Sequence, residues 1–315
     1  MKMIIWIPLL VGGLLFAGGA TLVACNVPKV APVETPYDFA GKEINSISMD
    51  LSISDVSFKV GESAKVVCKE SDKWHHEVNL NEESMALTIN FTMKKKWYDF
   101  SELFQPRFAV EVYLPAGSYD TLNIKHSTGD INVDKGFTFT ELDIEGSTGD
   151  VLLKSDVANK AKIKQSTGKI TVSEMKCAEL STEASTGKTT VSNVEVSGDA
   201  VLKSSTGKVV VSDFTSKNLT ISSSTGDIKL TNAIMSEKMN LSASTGDIDI
   251  VDSDAAEVTI KTGTGDVEAV FLSVKDVDAS SHTGKTKIDP NLNKDEGGNC
   301  KISTDTGDIK VSLKN

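Results

Sequence analysis

Asp227, Asp247 and Asp266 recur at intervals of 20 and 19 residues, each directly after a Thr-Gly pair. If the segments that carry them stack, their carboxylates lie about one strand spacing apart, roughly 5 Å, and a divalent cation would relieve the repulsion. The plainer chemistry is a solvated side chain beside a turn, accepting backbone hydrogen bonds. The glycine-rich calcium-binding nonapeptide pattern is absent, so the plainer reading is preferred and the three Asp stand as a candidate interaction surface. A second candidate is Lys94, Lys95, Lys96, Trp97, Tyr98 and Phe100, where basic and aromatic residues cluster. Such a loop suits anionic headgroups or a protein partner, or it closes the end of a fold with its rings.

Other chemistry is poorly supplied. His75 and His76 are neighbours on an expected strand and face opposite sides, and His126 and His282 fall eight repeats apart, roughly 38 Å at strand spacing. Cys177 and Cys300 lie in the third and tenth repeats, too distant for a disulfide, whose Cα atoms must come within ~7 Å. Cys68 has no evident partner. No metal site, cofactor or catalytic set is expected. Sugar hydrolysis needs two carboxylates some 5 to 10 Å apart, but repeats of near-constant length leave no long loop to build a cleft, and exposed Asp residues lack pKa-shifting burial. The one Arg, Arg107, makes a bidentate anion clamp implausible. A net charge of -11 and a pI near 5.0 argue against nucleic acid. The chain is expected to be non-enzymatic.

The element that must position these residues is a repeat. Thr-Gly occurs ten times, with glycines at Gly129, Gly149, Gly168, Gly187, Gly207, Gly226, Gly246, Gly265, Gly284 and Gly307. The spacing is 19 or 20 residues except for a last interval of 23, which holds the polar insertion 291–299. With Gly as position zero, apolar residues recur at -7, -5, +2 and +4, as in Leu142, Ile144, Val151 and Leu153. A weaker column runs through Phe137, Met175, Val194, Phe214 and Leu272. Alternation on both sides of a glycine means two short strands meeting at a bend. Each unit is too small to bury its own apolar face, so neighbours stack. A hairpin meander would need about twenty strands in one open sheet, whereas such sheets rarely exceed about ten. The expected fold is therefore all-β, a right-handed parallel β-helix of about ten coils over residues 116–315. By parity, Thr at -1 shares the side of -3, -5 and -7, which argues against an exposed Thr ladder of the kind that binds ice.

Residues 41–115 read as a β-rich N-terminal cap. Within them Ile47, Met49, Leu51, Ser54, Asp55, Val56 and Phe58 copy the coil spacing without its glycine. Pro28, Pro32 and Pro36 make residues 26–40 an extended tether. The uncharged stretch 4–23 follows Lys2 and is long enough to cross a bilayer. Residues 1–25 are thus either an uncleaved transmembrane helix or a lipoprotein signal ending at a lipidated Cys25. Both place the β-helix outside the cytoplasm, with the N-terminal helix engaging the membrane.

The Val-Tyr-Leu-Pro at 112–115, the Ser-Thr-Gly-Asp repeats, and the Thr-Gly-Thr-Gly-Asp-Val at 262–267 resemble the bacterial β-strand-repeat family of “putative adhesins”. The resemblance spans nearly everything from about residue 40 onward. It implies a membrane-anchored cell-envelope protein with an exported β-helix, no catalytic residues, and an unidentified envelope protein or glycan as partner. Some relatives are linked to envelope stress, which implies a sensory or regulatory module as the alternative; a polysaccharide-active enzyme is the remote one.

Overall fold

The computed structural model describes residues 32–71, 74–93, 108–292 and 297–314. Residues 1–31, with Cys25 and the apolar stretch, and residues 94–107, with the Lys94 to Phe100 cluster, lie outside the described residues. The described residues are all-β, a single sheet wound into a solenoid of in-register parallel coils.

Why the coils stack at one period is visible at the glycine corner. Each corner Gly has φ between 133° and 156°. A Cβ placed on any of them would come within 1.8–2.4 Å of a carbonyl oxygen in the neighbouring coil. Backbone therefore packs directly on backbone, and only hydrogen fits between. A second bend, unmarked by glycine, falls six residues later. Glu174, Asn193, Asp213, Asn232 and Asp252 all take φ of 49–55° there, and four of the five are the Asn or Asp that best tolerate the left-handed region. Between the bends the inward columns are closed by Ile, Leu, Val and Phe: Leu153, Ile170, Val211, Phe214, Leu230 and Ile250 are almost wholly buried.

The N-terminal strands are β1 (Val33–Asp38), β2 (Ser46–Ile53), β3 (Asp55–Val60), β4 (Lys65–Glu70), β5 (Trp74–Asn81), β6 (Ala86–Met93), β7 (Ala109–Leu114), β8 (Gly117–Thr128) and β9 (Ile131–Val133). β2 and β3 form the expected coil without glycine, with Ile47, Met49 and Leu51 beside Leu122, Ile124 and His126, and Val56 and Phe58 beside Ile131 and Val133. β6 and β7 form another coil on its far side. The chain thus lays down the β2–β3 coil first and then places it second. Antiparallel strands cover the outer edge: β5 on β6, β4 on β7, and β1 on β4. Residues 33–38, expected as tether, are therefore a strand. β1 pairs on one side only, and Pro36, which has no N–H to donate, is tolerated on such an edge.

From β10 (Phe137–Thr148) to β18 (Ile248–Ser253) the coils follow in sequence order. The order then breaks. β19 (Glu257–Thr264) and β20 (Val267–Phe271) do not pair with β21 (Lys275–Thr283) and β22 (Thr286–Ile288); both pairs flank β23 (Gly298–Thr306) and β24 (Ile309–Leu313). The Gly307 coil sits between those of Gly265 and Gly284, so His282 is one coil further from His126 than sequence order implies. The long final interval is the connection that carries the chain back. Lys275, 2% exposed, fixes this arrangement. Its ammonium reaches past Gly298 to the Ala255 carbonyl at 2.6 Å and to the Asp254 carboxylate in the coil beyond.

Two inward positions differ from the sequence expectation. Leu272 is exposed while Phe271 fills the core, because the register shifts between Ile250 and Ser253, pairing Ser253 with Phe271. The ten Thr at -1 are exposed, not inward, because the chain turns before the glycine and alternation stops at -3.

Gly207→Ala adds a Cβ 1.9 Å from the Gly187 oxygen at φ 141°. It is expected to cost about 3 kcal/mol in urea unfolding. Exposed Ser205→Ala should stay within ~0.5 kcal/mol, and equal midpoints for the two variants would refute the backbone-contact account.

Candidate functional site

The outward corner is built by backbone bookkeeping that the side chains complete. Every corner Gly N–H except that of Gly284, in the terminal coil, donates to the Thr carbonyl of the next coil, as from Gly168 to Thr186 at 2.9 Å. The residue at +2 donates to the +1 carbonyl beyond, as from Ile248 to Asp266 at 2.9 Å. That leaves the +1 N–H, and here the Asp column acts. Asp55, Asp130 and Asp150 accept in turn from Asp130, Asp150 and Lys169 at 2.8–2.9 Å. Asp227 accepts from Asp247 at 3.3 Å, Asp247 from Asp266 at 2.8 Å, Asp266 from Asp308 at 2.7 Å, and Asp308 from Lys285 at 2.7 Å. Asp227, Asp247 and Asp266 are thus brought into one ladder as the spacing required. Each spends one carboxylate oxygen on a neighbouring backbone, as the plainer chemistry supposed, and the coil-order break adds Asp308 to their run.

Position -3 serves the glycine carbonyl from inside. Gln165 donates to Gly149 at 2.6 Å, Ser223 to Gly226 at 3.1 Å, Thr262 to Gly246 at 3.1 Å and Thr304 to Gly265 at 3.2 Å. This column is mostly buried and polar, with His126, Gln165, Ser204, Ser223, Thr262 and Thr304 beside the buried Ala184 and Ala243, so it differs from the apolar columns with which parity grouped it. His126 and Gln165 lean into the space over Gly146, where a Cβ would stand 2.0 Å from His126 Nε2 and 2.1 Å from Gln165 Oε1. Burial pushes the His126 pKa below 6.5, against the opposite pull of Gln165 and Asp130.

A third arrangement joins residues that the sequence left separate. On β4, Cys68 and Glu70 share the buried face; on β5, His76 faces them and His75 turns away. The His76 backbone N–H donates to Glu70 Oε2 at 2.7 Å, its Nδ1 lies 3.3 Å from the same oxygen, and its Nε2 lies 2.9 Å from Ser54 Oγ. The Tyr37 hydroxyl donates to the His76 carbonyl at 3.2 Å. Burial, then Glu70, pushes the Cys68 thiol up to about 12, and burial holds the His76 pKa below its usual range despite Glu70. Trp74, Phe91 and Phe108 pack beside it, with His76 and Phe91 ring centres 5.4 Å apart. Pairing His75 with His76 obscured this cluster. The legible signal was a charged residue, Glu70, at a position whose alternation partners, Val66 and Cys68, are core. Among the described residues, Cys68, Cys177 and Cys300 are all buried free thiols.

Two measurements follow from this geometry. Asp247→Ala strands the Asp266 N–H and is expected to cost about 1 kcal/mol, while Asp247→Asn keeps an acceptor and costs less; identical melting of the two would rule out the ladder bond. For His126, the unfolded chain takes up a proton at higher pH than the folded one, so its stabilising contribution is intact above pH 6.5 and drains away as pH falls toward the depressed folded value. Urea midpoints of His126→Gln should fall less between neutral and mildly acidic pH than those of the wild type, and parallel curves would be inconsistent with this assignment.

Comparison with known proteins places this architecture. No curated protein matches the chain. A “putative adhesin” from Bacteroides fragilis matches over 90% of this chain and 97% of its own, at 12% identity and a TM-score of 0.42. A “putative lipid binding protein” from Parabacteroides distasonis matches over 90% and 97%, at 12% identity and a TM-score of 0.45. A “putative adhesin” from Parabacteroides merdae matches over 90% and 96%, at 14% identity and a TM-score of 0.24. At such TM-scores no functional argument rests on them. The Toastrack DUF4097 family matches residues 44–205 and 201–315, which together take in the Gly corners and the strands on both sides of them, and the chain belongs to that family.

Proposed function

We propose that the protein is a non-enzymatic, membrane-anchored envelope protein whose right-handed solenoid displays a repeated outer surface for binding outside the cytoplasm. The observation that carries this reading is the exposed Ser-Thr corner. Seven Ser-Thr-Gly turns and three variants set ten Thr side chains outward in one column. A regular ladder of weak contacts gains strength by multivalency, since each further contact is made at high effective concentration. Coils of near-constant length leave the column unobstructed. Residues 1–25 supply the anchor, as a transmembrane helix or as a lipid on Cys25. The antiparallel strands of residues 41–115, together with β1, act as the cap that keeps the end of the sheet from pairing with another chain. The partner is an envelope protein or glycan.

A second reading draws on one specific observation. In sequence, Lys94 to Phe100 fall between β6 and β7, the two strands of the terminal coil, whose neighbourhood holds the Trp74, Phe91 and Phe108 ring cluster. In that reading the segment engages a membrane partner and the protein is regulatory.

Screening the full chain against glycan and envelope-protein arrays separates the two. Thr186→Lys, Thr206→Lys and Thr225→Lys together should reduce capture at least tenfold under the ladder reading and leave it intact under the regulatory one. Replacing Lys94, Lys95, Lys96, Trp97 and Phe100 should do the reverse. Capture indifferent to both sets would dismiss both readings.

A further inference from the structure

We propose that Cys68, Glu70 and His76 form a zinc site. One ligand atom from each lies within 4.8 Å of the others, and all three residues are buried. Around a tetrahedral zinc with bonds of about 2.0–2.3 Å, ligand atoms sit roughly 3.3–3.8 Å apart, so the cluster needs only a small contraction to close on the ion. Thiolate, imidazole and carboxylate together suit a borderline-soft, redox-inactive cation with no geometric demand of its own.

The hydrogen bonds are arranged for this use. Ser54 Oγ, 2.9 Å from Nε2, can accept the imidazole proton there, leaving the Nδ1 lone pair turned toward Glu70 and Cys68. A second partner of this kind fixes ring tautomer and orientation around a ligated metal. The His76 backbone N–H already holds the carboxylate in place through Oε2. Among the described residues Glu70 pairs with His76, and no described Lys or Arg comes within ion-pair distance of it. The cluster presents acidic and thiol ligands to the interior, and zinc would add positive charge there while displacing the Cys68 proton to solvent. A fourth coordination position is left for water.

Placement gives the site a structural purpose. Ser54 stands in the Gly column, its carbonyl 2.1 Å from where a Cβ on Gly129 would lie. Cys68 and Glu70 come from β4, and His76 from β5. The ion would thus pin the antiparallel strands onto the first coils of the solenoid. This holds whether or not the outer surface binds a glycan.

The test uses the full chain in detergent, stripped of metal by a chelator and then titrated with zinc or cobalt(II). The expected result is one equivalent bound, one proton released per zinc in weak buffer, a raised melting temperature, and a thiolate-to-cobalt charge-transfer band. Cys68→Ala should abolish the band, Ser54→Ala should weaken zinc binding about tenfold, and Cys177→Ala should change nothing. Should Cys68→Ala fail to fold, the wild-type proton release and melting shift still decide. No proton release and no shift, or a cobalt spectrum without the thiolate band, would overturn the site and leave a hydrogen-bonded Ser54–His76–Glu70 network.

Discussion

The structure depends on direct contact between backbones at the glycine corner. Where coils meet there, a hydrogen is the largest substituent that fits, and the polar backbone groups pressed together must be answered within the stack. The neighbouring Thr carbonyl answers the Gly N–H, the Asp of the adjoining coil answers the next N–H, and the buried hydroxyl or amide at -3 answers the Gly carbonyl. The corner register follows from this, and the difference between intervals of 19 and 20 residues is absorbed elsewhere in the coil, as between Phe139 and Glu141. The low aromatic content follows as well, since narrow coils take Ile, Leu and Val inside.

Charge is treated in the same cross-coil manner. Along the exposed strands a Lys commonly stands beside an acidic residue one coil away: Lys162 by Asp143 at 2.8 Å, Lys176 by Glu195 at 2.7 Å, Lys238 by Glu257 at 3.0 Å. Each exposed pair adds little to stability. Together they favour one register, because a slip of one coil position would set like charges side by side. The net charge of -11 is thus carried on a surface where many Lys have an acidic partner one coil away, while the Ser-Thr corner presents hydroxyls beside the +1 column of Asp and Lys.

Much of this was legible in the sequence, and the remainder was hidden for definable reasons. The solenoid could be read because in-register stacking writes the same residue types at a fixed interval, and the β2–β3 coil could be read because Ile47, Met49, Val56 and Phe58 keep that interval. Parity misplaced the Thr column because a period of two holds only along a strand, and the bend intervenes between -3 and -1. It misplaced Leu272 because the second bend is one residue shorter there. That bend itself left only a Glu, two Asn and two Asp at single positions, a weak mark beside ten glycines. The Cys68, Glu70 and His76 cluster joins two strands whose relative placement depends on what each pairs with, which no local spacing encodes. Coil order was equally invisible, since every coil offers its neighbours nearly the same edge.

That interchangeability bears on how the chain is completed. The Gly284 coil is made before the Gly307 coil, yet it rests upon it. During vectorial synthesis, then, the Gly284 turn has no legitimate seat until residues 298–313 emerge. A product cut short after Ile288 would lose a slice from within the stack, and the turn left behind would face a surface it never meets in the finished molecule. The Gly307 coil is in effect a keystone, set between two turns that are both made before it.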